Sequence, residues 1–141
     1  MKSLRTLITI CLLLTAATLF AQTENRLLVK SNIPFAFNVE NKSLPAGEYL
    51  IYTVTPERSM RIVSADGKHA AVINTLPNRA GGPSEKSSLM FHRYGSEYFL
   101  AQVWIANENV VRTPVTSKKE VELARSGSSY ERTTILAFAG R

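Results

Sequence analysis

Two histidines, His69 and His92, one aspartate, Asp66, and ten glutamates are the groups beyond residue 21 on which acid–base or metal chemistry near neutral pH would draw. A zinc site needs three or four ligands at characteristic spacing, and the chain has neither an HxxxH nor a CxxC pattern. His69 therefore reads as a turn-adjacent surface residue and His92 as a partly buried sheet residue. Asp66-Gly67 lacks the further acidic ligands of a calcium loop. The serines include no GxSxG nucleophile elbow. Gly81-Gly82-Pro83 is not a phosphate cradle, because Pro83 removes an amide donor and no Lys-Ser or Lys-Thr follows. No metal or other cofactor is expected. The enzyme reading left open is a carboxylate pair such as Glu48 and Glu97, which could cleave a glycosidic bond without any local motif.

A binding face is the stronger candidate. Residues 89–94 and 97–106 form the clearest hairpin, turning at Gly95-Ser96 with glycine in the first central position, as a type II′ turn requires. Setting Tyr94 opposite Glu97 places Arg93 against Tyr98, His92 against Phe99, Phe91 against Leu100 and Met90 against Ala101. Strict alternation then puts Met90, His92, Phe99, Ala101, Val103 and Ile105 on one face, the expected core. The other face gathers Phe91, Arg93, Tyr98, Gln102 and Trp104, with Leu89 and Leu100. Aromatic rings flanked by hydrogen-bonding groups suit a sugar or the side chains of a protein partner. The competing reading buries this face under a helix or second sheet, as Leu89 and Leu100 require, with Arg93 stacked on Tyr98.

The elements that must carry these residues read as β throughout. Residues 33–39 alternate, and Pro34, which has no amide donor, points to a sheet edge. Pro45 and Gly47 supply a turn before a second strand at 48–54. Residues 55–59 break that strand, 60–63 resume it, and Asp66-Gly67 turns into a further strand at 70–75. Residues 76–88, rich in Gly, Pro and polar side chains, read as a long mobile loop. After Asn107 the strand signal fades. Ser117 with Glu120 makes a capping box for a short helix over 118–125, although Lys118 and Lys119 oppose the helix dipole there. The tail, 126–141, contains a further strand candidate at 133–138. The expected fold is all-β: a single antiparallel sandwich or flattened barrel of about seven strands with one short late helix.

The first 21 residues have the form of a secretory signal peptide: Lys2 and Arg5, an uncharged apolar run from Leu7 to Phe20, then Ala21. The run is short for a membrane span and is broken by Thr9, Thr15 and Thr18. Cys11, the sole cysteine, lies inside it after Ile10, which excludes a lipoprotein attachment site and leaves residues 22–141 without a thiol. About 120 residues suffice for one core without disulfides. With Lys2 and Arg5 removed, 15 basic against 11 acidic residues leave a net charge of +4. The cations are scattered rather than clustered into the patch that nucleic-acid binding needs.

Two stretches, IPFAFNV running into LPAGEY (33–49) and FHRYG through YFL to VW (91–104), resemble a family of small exported proteins of Gram-negative bacteria that carries no established activity. The segment SKKEVELA (117–124) and the signal peptide fit the same pattern. The resemblance covers most of residues 29–125, stops at the tail, and transfers no catalytic residue. Together these readings lead to the expectation of a non-enzymatic protein of the periplasm or medium, with no stable membrane anchor after cleavage. Its partner would be an envelope polymer, a glycan or another protein. The alternative is a carboxylate-dependent hydrolase of carbohydrate or peptidoglycan. A third reading, the subunit of a surface assembly, calls for an unpaired apolar edge strand at 33–39 or 133–138.

Overall fold

The computed structural model describes residues 25–55 and 58–140. The expected signal peptide, residues 1–21, and its expected cleavage bond lie outside the described residues. Among these there are ten strands and one helix: β1 Leu27–Ile33, β2 Phe37–Val39, β3 Lys42–Leu44, β4 Gly47–Thr55, β5 Ser59–Ser64, β6 Ala70–Arg79, β7 Ser87–Tyr94, β8 Glu97–Trp104, β9 Val110–Pro114, α1 Lys118–Arg125 and β10 Glu131–Ala139. Eight strands in the order β8-β7-β10-β1-β4-β5-β6-β9 close into an antiparallel barrel when β9 pairs back onto β8. The β2–β3 hairpin sits beside β8, joined by one parallel pairing at Asn38↔Phe99.

Alternation along each strand fills the barrel. Val29 and Ile33 from β1, Tyr49 and Ile51 from β4, Met60 and Ile62 from β5, Ile73 from β6, and Leu89 and Phe91 from β7 all point inward and are buried. An eight-stranded barrel has an interior just wide enough for side chains to occupy, and these residues supply it. Irregularities at Leu27/Val29, Thr53/Thr55 and Met90/Phe91 interrupt the ladders. Such bulges add the local twist that lets a sheet curve until it closes.

Several expected boundaries are corrected. Residues 33–39 are not one edge strand. β1 ends at Ile33 and β2 begins at Phe37, with Pro34 in the break where no ladder donor is needed, and β1 lies inside the barrel wall between β10 and β4. The loop assigned to 76–88 is shorter, because β6 continues through Arg79 and β7 begins at Ser87. Leu76 to Arg79 pair with β9, the strand at 110–114 whose sequence signal had faded. The tail is a full stave, β10, with β7 on one side and β1 on the other.

The turn and helix signals read true. Gly95 has φ 60 and Ser96 is not left-handed, as a II′ turn demands. At the other Gly turn, Gly67 has φ 73, and Asp66 accepts from the Lys68 amide at 3.0 Å and from the Ser64 hydroxyl at 2.5 Å. These bonds hold the Asp66 carboxyl below the usual range, and the charges of Lys68 and His69 act the same way. Helix α1 starts where expected, with the Ser117 hydroxyl accepting from the Glu120 amide at 3.1 Å. The capping box is only half formed, however, since the Glu120 carboxylate is turned to a partner elsewhere in the fold.

Candidate functional site

The five residues expected on one face do not share one. The register near the turn is as expected, from Tyr94↔Glu97 to Phe91↔Leu100, but Met90 then pairs with Gln102 rather than Ala101. Ala101 is thus an extra residue on β8, and past it the side-chain parity is reversed. Phe91 is fully buried inside the barrel. Tyr98, on the same side, leaves at the barrel end, where it stacks on Phe35 at 3.7 Å and 11°, while Phe35 meets Phe91 edge-on at 5.1 Å. Arg93 lies 5.8 Å over the Tyr98 ring, is bonded to the Gly95 carbonyl and faces Glu131. Gln102 and Trp104 face outward beyond the bulge and bond to each other, Trp104 Nε1 donating to Gln102 Oε1 at 3.0 Å. Two small clusters therefore replace one continuous face.

The structure assembles a different set. α1 lies over the outer side of the β7–β8 hairpin, tied by Glu120 to His92 and by Lys119 to Glu97. His92 Nδ1 donates to Glu120 Oε1 at 2.7 Å, which fixes the orientation of the ring and points Nε2 away from the carboxylate. Tyr130, just before β10, sets its ring 3.9 Å from His92 and 5.6 Å from Tyr94, and Tyr94 meets Phe99 edge-on at 5.7 Å. His92, Tyr94, Glu120 and Tyr130, with Thr116, Val121, Ala124 and Arg125, line an open groove of about 420 Å³. The hydroxyls of Tyr94, Thr116 and Tyr130 and the Arg125 guanidinium have no hydrogen-bonding partner among the described residues.

The groove combines aromatic faces with hydroxyls and one guanidinium that no described residue engages. His92 and Glu120 resemble the base and orienting group of a triad, but no described hydroxyl bonds to the histidine. The third member, a nucleophile within hydrogen-bond reach, is therefore not assembled. The arrangement orients an imidazole and anchors a helix. Burial, followed by the charge of Glu120 and then by Tyr130, pushes the Tyr94 phenol upward, and burial followed by Asp66 does the same to Tyr49, whose hydroxyl donates to the Pro45 carbonyl at 2.6 Å. A folded-state value above the unfolded one gives a contribution fully present below about pH 10 that is lost as pH rises through the folded value. Urea midpoints should therefore fall steeply above pH 10, and Tyr94→Phe should flatten that fall; an unchanged slope would contradict the assignment.

The other candidates stay apart. Glu48 pairs with Lys30 at 3.0 Å and Glu97 with Lys119, each on the outer surface, and no contact brings the two carboxylates together. His69 lines a shallow depression with Pro45, Tyr49, Ser64 and Asp66, distant in the sequence from His92. Among the described residues no group of three or more His, Cys, Asp or Glu side chains could hold a metal ion. Comparison with protein-family models, curated proteins and solved structures gave no match. Sequence reasoning missed Tyr94, Glu120, Arg125 and Tyr130 as a set. Its one available signal was Tyr130, a lone aromatic in a serine- and glycine-rich stretch.

Proposed function

We propose that this chain is an exported, non-enzymatic binding module of the periplasm or medium, and that a glycan or related cell-envelope polymer lies in the groove between α1 and β7. The observation that carries the reading is the groove itself. It presents the rings of Tyr130 and His92, with Tyr130 42 % exposed, next to hydroxyls and a guanidinium that no described residue engages. Aromatic faces suit the C–H faces of sugars, and unengaged hydrogen-bonding groups suit their hydroxyls. The signal-peptide pattern and the resemblance to exported proteins support the compartment. Pairing of Glu48 and Glu97 with lysines weighs against the hydrolase alternative.

The test is affinity capture of envelope polysaccharide on immobilised residues 22–141, run beside Tyr130→Ala and Arg125→Ala. Retention by the native domain that falls at least tenfold in both variants, with unchanged circular dichroism, is expected. Background retention, or equal retention by the variants, overturns the reading. Shortening of the captured polymer that stops with Glu48→Gln or Glu97→Gln would replace it with the hydrolase.

A further inference from the structure

The barrel wall has one incomplete seam. β9 reaches β6 only from Thr75 upward, since Pro114 opposite Thr75 has no amide to continue the ladder and the chain departs after Val115 bonds to the Asn74 carbonyl. Below that point, the odd-numbered residues of β6 turn their backbone groups to β5, as the Ser64 amide to His69 carbonyl bond and the Thr75 amide bond to Arg58 show. The even-numbered residues turn theirs the other way. Two of them are engaged by side chains of the β2–β3 hairpin: Glu40 Oε1 accepts from the Asn74 amide at 2.6 Å, and Lys42 Nζ donates to the Ala70 carbonyl. Among the described residues Val72, between them, meets no strand on that edge, and its side chain is 58 % exposed.

The facing edge is β3. Among the described residues it pairs with β2 alone, through the two-residue turn Glu40-Asn41, with Val39 opposite Lys42. In such a hairpin the turn-flanking pair is hydrogen-bonded, so Ser43 directs its N–H and C=O away from β2. A concavity of about 480 Å³ lies along this seam, lined by Val39, Glu40, Lys42, Arg61, Ala71 and Val72 among others.

We propose that this seam receives an extended segment of a partner polypeptide by strand addition. An extended backbone carries donors and acceptors at the spacing that Val72 and Ser43 present, which is the basis of strand addition to open sheet edges. The side chains specify more. Arg61, opposite Val72 on β5, and Lys42 leave two cations beside the exposed valine, whereas the Glu40 carboxylate is already occupied by the Asn74 amide. The segment that fits alternates apolar residues with acidic ones. Lys42 acts as a removable guard, because the incoming strand takes over the Ala70 carbonyl. The edges first expected to be open do not qualify: β10 is paired on both sides and β2 lies between β3 and β8.

The experiment uses residues 22–141 and a capped heptapeptide of alternating valine and aspartate, with a second peptide N-methylated at alternate residues to remove its donors. Binding should slow hydrogen exchange of the Val72 amide at least tenfold, and N-methylation should abolish the effect. Arg61→Ala should weaken binding several-fold, and Tyr130→Ala should leave it unchanged, which separates this site from the groove. Unaltered Val72 exchange at millimolar peptide, or equal binding of the N-methylated peptide, overturns the proposal.

Discussion

A chain ending at Ser129 is expected not to fold. The cut removes β10, which pairs with β7 from Glu131↔Arg93 to Ala137↔Ser87 and with β1 at Val29↔Ala139 and Lys30↔Phe138. It also removes Ile135 and Ala137, which pack against the core, and the acceptor of the Ser31 hydroxyl, the Leu136 carbonyl at 3.1 Å. Without this stave, β1 and β7 become open edges and the interior is exposed to water. A domain whose whole stability is about 5–15 kcal/mol cannot absorb that loss. Circular dichroism should show no cooperative thermal transition. Adding a synthetic peptide of residues 126–141 should restore one, because every other stave is still present. Cooperative unfolding of the truncated chain alone would show that barrel closure is not what holds the fold.

Phe91→Ala should be the most damaging single truncation on the β7–β8 hairpin. The ring is fully buried and meets Phe35 edge-on at 5.1 Å and Phe37 at 5.6 Å. Removing a buried aromatic costs about 3–5 kcal/mol, the transfer term plus the cavity left behind. The loss here should fall in the upper part of that range. Phe35, stacked on Tyr98 with Arg93 beyond, would also lose its edge contact with the core. Urea titration of the variant should shift the midpoint with little change in slope. Phe91→Leu should cost markedly less. A loss below about 1 kcal/mol for the alanine variant would mean that neighbouring side chains collapse into the space.

These two outcomes rest on features that the sequence revealed unequally. Turn chemistry was legible wherever glycine stands at a left-handed position, and the register of the hairpin could be counted outward from Gly95 as far as Phe91↔Leu100. Counting failed at Ala101. A one-residue bulge is visible in a sequence only if it breaks an alternation, and β8 carries apolar residues at both parities, so there was no alternation to break. The face containing Gln102 and Trp104 was consequently assigned to the wrong side. The strand candidate at 133–138 was legible, but with Ile135 partly buried and Leu136 and Phe138 exposed its alternation did not say that β10 runs from Glu131 to Ala139 inside the wall. Ser117 and Glu120 correctly announced α1, but a capping pattern says where a helix begins and not what it lies against. The His92–Glu120 bond spans 28 residues and depends on how the helix returns over the hairpin. No local rule yields that distance. The open seam at Val72 was hidden for a similar reason, since an edge is defined by which strand is missing beside it.

The position of β10 between β1 and β7 also has a consequence in time. The bond from Ser31 to Leu136 joins residues 105 apart, so the first stave, though it can pair early with β4, cannot find its second neighbour until almost all of the described chain has been made. At roughly 5–20 residues per second, that is a delay on the order of ten seconds. The β4–β5–β6 meander can form from neighbouring segments during that interval, but the barrel cannot close over its core. Contacts this distant along the chain also form slowly once the chain is complete. For a protein proposed to be exported, late closure would keep the polypeptide in the open, threadable state that passage across a membrane requires.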